Sequence, residues 1–139
     1  MDKALLGPGL ALVLWTGVMW AWVLKSRLPL LRALRAGRVP SAGAAFPPEV
    51  ARVSNNYNHL HEQPTVFYAV LAFATLGGLS SPLAVGAAWA YVAFRIGHSL
   101  EQARQDRIPR RFQWFLMASV AHFVLLGAVL GKWWLGGLN

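Results

Sequence analysis

Long uncharged stretches separated by clusters of basic residues organise the 139-residue chain. Residues 4–24 and 112–131 contain no Asp, Glu, Lys or Arg, and neither does the longer run 63–94. A membrane-spanning helix needs about 20 apolar residues, so the first two stretches predict one span each. The run 63–94 is too long for one helix, and the turn-forming sequence "GGLSSP" (77–82) divides it in two.

The hydrophobic pattern therefore predicts an all-α membrane protein with four transmembrane helices in an up-down bundle, folded as one domain over residues 1–139. A basic segment at residues 25–54 follows the first span, and we expect it to be a cytoplasmic loop. The expected spans are residues 4–24, 57–78, 82–102 and 112–134.

The composition agrees with this class and excludes others. Charged residues make up 13% of the chain, whereas about a quarter of the residues of soluble domains are charged. The net charge of +8 comes from basic residues that cluster between the uncharged stretches, so we expect no nucleic-acid partner. Because the chain has no cysteine, disulfides and thiolate metal sites are excluded, and any thiol must belong to a ligand.

Cytoplasmic loops carry an excess of Lys and Arg, so these residues predict the orientation in the membrane. Most of them lie in the first and third loops, at Lys25, Arg27, Arg32, Arg35, Arg38, Arg52, Arg104, Arg107, Arg110 and Arg111. The opposite side has only Lys3 and Lys132. We therefore expect both loops in the cytoplasm and both termini outside. The Arg-Leu pattern of residues 25–40 suits a segment lying on anionic lipid, with direct ligand contact as the alternative.

Two polar stripes interrupt the apolar pattern near the cytoplasmic ends of the second and third spans. In "NNYNHLHEQPTVFY" (55–68), helical spacing places on one face Asn55, Asn58 or His59, and Glu62. In the third span, the same spacing aligns Tyr91, Arg95, His98 and Gln102.

Arg95 lies roughly 10 Å inside its helix end, and a charge at the centre of a span costs about 2.5–3.5 kcal/mol on insertion scales. Glu62 is the carboxylate at comparable depth on the neighbouring helix, so we predict that the two residues pair. A pair alone would only hold two helices together. The surrounding amides and imidazoles supply more hydrogen-bonding groups than that role needs, which favours a pocket for a polar ligand.

Metal and anion chemistry are the alternatives for this pocket. His59 and His61 face different directions on a helix, so they form no metal-binding motif and we expect no metal. In "RQDRIPRRF" (104–112), a proline near a helix start places Arg111 among free backbone N–H groups, which is typical of an anion site. The competing explanation is that these arginines only follow the preference of cytoplasmic loops for basic residues. That explanation is weaker for Arg107 and Arg111, because they flank the helix start.

The order of these motifs resembles the family of membrane-associated proteins in eicosanoid and glutathione metabolism (MAPEG). The likeness lies in the basic first loop, the N…E…P-F motif that opens the second span, the R-x-x-H motif of the third span and the R-x-P-x-R motif at residues 107–111. It is clear over residues 50–125 and closest to short bacterial members. The resemblance implies a homotrimer in a bacterial inner membrane, with glutathione bound between adjacent subunits near the cytoplasmic face.

The resemblance also implies a set of glutathione ligands. The Glu of the family corresponds to Glu62, and the Arg and His of its third span correspond to Arg95 and His98. The Arg at the start of its fourth span corresponds to Arg111, which Arg107 precedes. Four family positions differ here. The family Asn is His59, for which Asn58 or Asn55 substitutes; a Tyr is Gln102; and two hydroxyl-bearing residues are Phe112 and Phe115.

The expected function is that of a glutathione-dependent membrane transferase or peroxidase. Its second substrate would be a small hydrophobic electrophile or a lipid peroxide that enters from the bilayer beside Tyr91, Trp114 and Phe115. Arg111, with Arg107 second, would favour the thiolate of glutathione. The alternative is a non-catalytic lipid-binding or scaffolding member, which the missing hydroxyls at Phe112 and Phe115 favour.

Overall fold

The computed structural model describes residues 3–38 and 46–136, and within them the chain forms helices and no strand. In chain order these are α1 (Leu6–Arg35), α2 (Pro48–His59), α3 (Gln63–Leu76), α4 (Pro82–Arg104) and α5 (Ile108–Gly136). The predicted all-α class is confirmed. Residues 39–45 of the expected basic loop lie outside the described part of the chain.

Two helices, α1 and α5, are long and apolar enough to cross a membrane. Much of the surface that they turn outward is itself apolar; the side chains of Leu14 and Phe123 are 72% and 65% exposed. Lipid accepts such a surface, whereas water does not. α4 carries Arg95, His98 and Glu101, which lower its hydropathy, and α3 spans about 21 Å at 1.5 Å per residue. The assignment of α3 and α4 to the two central spans stays a prediction.

The helices differ from the expected spans in two places. α1 continues past Leu24 through the first basic residues to Arg35, and α2 begins at Pro48, so much of the expected loop 25–54 is helical. The expected second span is interrupted at residues 60–62, between α2 and α3. The basic loop is largely helical because charged residues only mark where a span leaves the apolar core of the membrane. The backbone hydrogen bonds of the helix continue beyond that point into the interface.

The interruption at residues 60–62 follows from Pro64. This residue has no N–H to donate to the Leu60 carbonyl, and its ring disfavours a continuous helix there. Short turn bonds replace the helical ones; His61 N donates to Asn58 O over 2.9 Å. Glu62 takes φ −91° and ψ −99°, and α3 starts at the next residue. The chain thereby changes partners: α2 packs against α1 and α4, whereas α3 packs against α1 and α5.

Four helices close a ring around the core, in which α1 contacts α3, α3 contacts α5, α5 contacts α4 and α4 contacts α1. Phe67 of α3 and Tyr91 of α4 meet across this ring, with stacked rings whose centroids are 4.1 Å apart. His122 of α5 lies beside both rings, 5.7 Å from that of Tyr91. Both Phe67 and Tyr91 are completely buried. The aromatic contact therefore joins three helices near the middle of the bundle.

Candidate functional site

A cleft of about 250 Å³ opens where the α2–α3 break, the second half of α4 and the first turns of α5 come together. Its wall contains five of the ten predicted glutathione ligands, namely His59, Glu62, Arg95, His98 and Arg111. The remaining wall residues are Gln63, Ile108, Phe112 and Phe115. The wall of the cleft thus contains guanidinium, imidazole and carboxylate groups together with two phenylalanine rings.

Arg95 is 2% exposed and contributes a buried guanidinium to the cleft. Its Nη2 donates to the main-chain carbonyl of His59 over 2.7 Å. This carbonyl belongs to the last turn of α2, where helical carbonyls lack partners and carry partial negative charge. The predicted Glu62–Arg95 pair is therefore wrong. Because the helix ends before Glu62, the backbone itself offers the acceptor that Arg95 needs.

Glu62 lies in the break and points its carboxylate at an imidazole. Its Oε2 is 2.7 Å from Nδ1 of His59, and its side chain is 64% exposed. The predicted common face for Glu62 and the asparagines of α2 is also wrong, since Glu62 follows the end of that helix. Glu62 and His59 form the mouth of the cleft.

His98 is the most enclosed imidazole of the cleft. It is 6% exposed, and its Nδ1 has no hydrogen-bond partner. The ring lies edge-on to His59 and tilted against Phe115, with each pair of centroids 6.5 Å apart. A buried nitrogen without a partner is uncommon in folded proteins, because it forfeits the hydrogen bond that water would give. His98 thus lines the cleft with one ring nitrogen that no protein group satisfies.

Arg111 reaches the cleft from the start of α5. Pro109 is the second residue of this helix, and Arg111 N donates to Arg107 O over 3.0 Å, so the guanidinium projects from the first turn. The unpaired N–H groups of a helix start favour anions. Arg111 Nη1 also pairs with a carboxylate oxygen of Asp106, a residue held in the left-handed region at φ 52°.

The structure places five other candidates outside the wall of the cleft. Asn55 and Asn58 are exposed on α2, and Arg107 is exposed at the turn before α5. Tyr91 is buried in the aromatic core, and Gln102 is 2% exposed with its Oε1 unpaired. Helical spacing had aligned Tyr91 and Gln102 with Arg95 and His98, but it does not fix how deep in the bundle each side chain ends.

Three polar residues were not predicted from the sequence, and two of them line the cleft or pair with a residue of its wall. Gln63 lines the cleft, and its Nε2 donates to Ser119 Oγ over 3.0 Å. Asp106 pairs with Arg111, and only its position among arginines in "RQDRIPRR" signalled this role. Asn56 is completely buried, and neither its Oδ1 nor its Nδ2 has a partner. It was missed because a helix continuing through Glu62 puts Asn55 and Asn58, rather than Asn56, on the polar face.

Comparison with known proteins agrees with the resemblance read from the sequence. The sequence profile of the MAPEG family matches residues 5–131, which is most of the chain. No curated protein and no solved structure gives a significant match. The family consists of membrane proteins, and it includes glutathione transferases and related enzymes. The profile covers every helix up to the last residues of α5, and on that evidence the chain belongs to the MAPEG family.

Proposed function

We propose that this protein is a glutathione-dependent membrane transferase or peroxidase that acts on a small hydrophobic electrophile or a lipid peroxide. The observation that carries the proposal is the cleft itself, which combines two guanidinium groups, an unpaired imidazole and an exposed carboxylate. Glutathione carries two carboxylates, one ammonium and one thiol. Each of these groups finds a complementary side chain among Arg95, Arg111, His98 and Glu62.

In this proposal, the arginines bind the carboxylates of glutathione through charge-assisted hydrogen bonds. Glu62, exposed at the mouth, binds the ammonium group. A free thiol has a pKa of about 8.5, so at neutral pH it is mostly protonated. The guanidinium of Arg111 and the N-terminal end of α5 favour the thiolate. Arg107, exposed one turn away, serves as a second cation.

The thiolate supports either of two reactions. With an electrophile, the sulfur forms a bond to carbon, and the displaced electron pair goes to the leaving group or to a conjugated acceptor. With a lipid peroxide, the sulfur attacks the terminal hydroxyl oxygen, the O–O bond breaks, and the departing alkoxide takes a proton from water to leave as an alcohol. A second glutathione then converts the sulfenic acid to a disulfide and water. Phe112 and Phe115 supply an apolar side for the second substrate but no hydroxyl.

A homotrimer would complete the site. The cleft of about 250 Å³ is below the ~300–1,000 Å³ of typical ligand pockets, and its mouth residues are exposed. MAPEG proteins often form trimers. A neighbouring subunit against the mouth would supply the missing wall and would bring Asn55 and Asn58 of α2 within reach of a ligand held between subunits.

The proposed topology has four spans in a bacterial inner membrane, formed by α1, α2–α3, α4 and α5. Both termini lie outside, and the cleft lies at the cytoplasmic side. Supporting this, Arg104, Arg107, Arg110 and Arg111 all lie at the α4–α5 turn, beside the cleft. Cytoplasmic glutathione would then enter the site directly, while the apolar substrate arrives from the bilayer.

Calorimetric titration of the detergent-purified protein with glutathione tests this proposal. We expect saturable binding that weakens about tenfold or more in Arg111→Ala and in Glu62→Gln, because each loses a hydrogen bond to a charged group. Arg110→Ala is the matched control, since it removes the same charge from an exposed neighbour outside the cleft. Absence of heat at millimolar glutathione, in protein that is helical and monodisperse, would overturn the proposal and favour a non-catalytic lipid-binding or scaffolding member.

A further inference from the structure

A second recess lies on the outer surface between α4 and α5, and it shares no residue with the glutathione cleft. It is an apolar groove of about 580 Å³, whose wall includes Leu83, Gly86, Ala90, Phe94, Met117 and Val120. Leu83 and Val120 are 64% and 57% exposed. We call this recess the α4–α5 groove.

A smaller pocket of about 220 Å³ lies further along α4 towards the α4–α5 turn, and its wall includes charged side chains, so we call it the polar pocket. Its wall includes Glu101, Arg104, Gln105 and Trp114. Glu101 Oε1 is buried without a hydrogen-bond partner. The ion pairs formed by the described residues involve neither Glu101 nor Arg104. The pocket therefore holds a buried carboxylate oxygen without a partner and an exposed guanidinium that forms no ion pair with another described residue.

The two recesses lie in line. On α4, the groove uses Gly86, Ala90 and Phe94, and the polar pocket uses Gly97, Glu101 and Arg104. Spacings of three and four residues place all six on one helix face. At the junction, Trp114 packs flat against Gly97, where an added Cβ would lie 2.8 Å from the indole. The Trp114 ring also contacts Phe94, with centroids 6.2 Å apart.

We propose that this surface binds one phospholipid whose headgroup carries both an ammonium and a phosphate. Charge complementarity identifies the occupant: Glu101 accepts the ammonium and Arg104 binds the phosphate. From Glu101 to Ala90, α4 rises about 17 Å. An acyl chain that starts at the polar pocket therefore reaches the Ala90–Phe94 end of the groove within about the hydrocarbon depth of one leaflet, which is half of about 30 Å. The site is independent of the proposed glutathione chemistry.

Native mass spectrometry of the full chain tests this site, with phosphatidylethanolamine and phosphatidylglycerol added in equal amounts. We expect the protein to retain phosphatidylethanolamine about tenfold more than phosphatidylglycerol. Glu101→Gln should abolish this preference, and Ala90→Trp should remove retention of both lipids by filling the groove. The control is Ala72→Trp, which fills a similar apolar groove between α1 and α3 that has no acidic or basic side chain in its wall. Retention should be unchanged in this variant.

Equal retention of the two lipids by the wild type, or a preference that persists in Glu101→Gln, would overturn the proposal. A subunit covering the groove would do so as well. Because the chain has no cysteine, Ala90→Cys introduces a unique thiol. Cross-linking of this thiol between copies would show that the groove is a subunit interface, whereas labelling by a membrane-dissolved maleimide without cross-linking supports the lipid site. Glu101→Gln keeps the test decisive if Ala90→Trp does not fold.

Discussion

Arg95 caps the C-terminal end of α2 by donating from Nη2 to the carbonyl of His59 over 2.7 Å. A guanidinium buried in α4 thus takes the place of the N–H groups that would have followed had α2 continued. The contact links the break in the second span to the third span. It also leaves Arg95 Nε without a partner next to the cleft. One side chain therefore holds the fold together and lines the candidate site.

Replacing Arg95 by Met should destabilise the protein by about 2–3 kcal/mol, because the His59 carbonyl loses its bond to a charged donor and keeps only the longer one from Glu62 N at 3.4 Å, while the apolar volume is roughly kept. Arg95→Lys should cost less, since an ammonium can still donate. Equilibrium unfolding in mixed detergent micelles measures both. Arg104→Met is the matched control, because this arginine is exposed and forms no ion pair with another described residue. An Arg95→Met variant as stable as the control would contradict the capping role.

Asp106 should restrain the glutathione site by neutralising Arg111. We expect Asp106→Asn to strengthen glutathione binding several-fold, since the guanidinium would no longer have a competing carboxylate. Asn tolerates the left-handed φ of 52° at this position, so the turn should persist. Calorimetry checks the affinity. In an Arg111→Ala background the same substitution should have no effect, because the two residues act through one contact. A gain that survives there would show that Asp106 acts by another route.

Gly97 sets how closely α4 approaches α5. Gly97→Ala would place a Cβ 2.8 Å from the Trp114 indole, and the ring would have to move. We expect a loss of about 1–3 kcal/mol, typical of overpacking. Gly127→Ala is the contrasting change: nothing lies within 4 Å of its added Cβ, and the higher helix propensity of Ala should stabilise the protein by up to about 1 kcal/mol. Thermal unfolding compares the two. Equal effects would show that the Trp114 contact does not restrict position 97.

Tyr91 should matter for stability rather than for ligand binding. Its hydroxyl is buried without a hydrogen-bond partner, and its ring stacks on Phe67. Tyr91→Phe keeps the ring and removes an unsatisfied group, so we expect it to be neutral or slightly stabilising. Tyr91→Ala should cost about 3–5 kcal/mol as a large aromatic truncation. Unfolding and glutathione titration distinguish the roles: a loss of binding in stable Tyr91→Phe would place the hydroxyl in the site.

Part of the site could be predicted from the sequence because its residues lie near a turn or near helix ends. His59 and Glu62 stand beside Pro64, and Arg111 follows Pro109, so proline marks both segments as sites where backbone groups are free. Spacing along α4 also placed Arg95 and His98 together. The same reasoning could not separate them from Tyr91 and Gln102, because periodicity defines a direction around a helix and not the neighbour that the side chain meets.

The sequence by itself determined the helical class, the apolar character of α1 and α5, and membership of the MAPEG family. These properties depend only on the residues along the chain, because hydropathy and the order of the motifs are the same however the helices pack. Only the tertiary structure decided that Arg95 bonds to a carbonyl instead of Glu62, and that Asp106 holds Arg111. The reason is physical: a buried charge takes whichever acceptor the packed backbone brings within about 3 Å, and that choice depends on where the second span breaks.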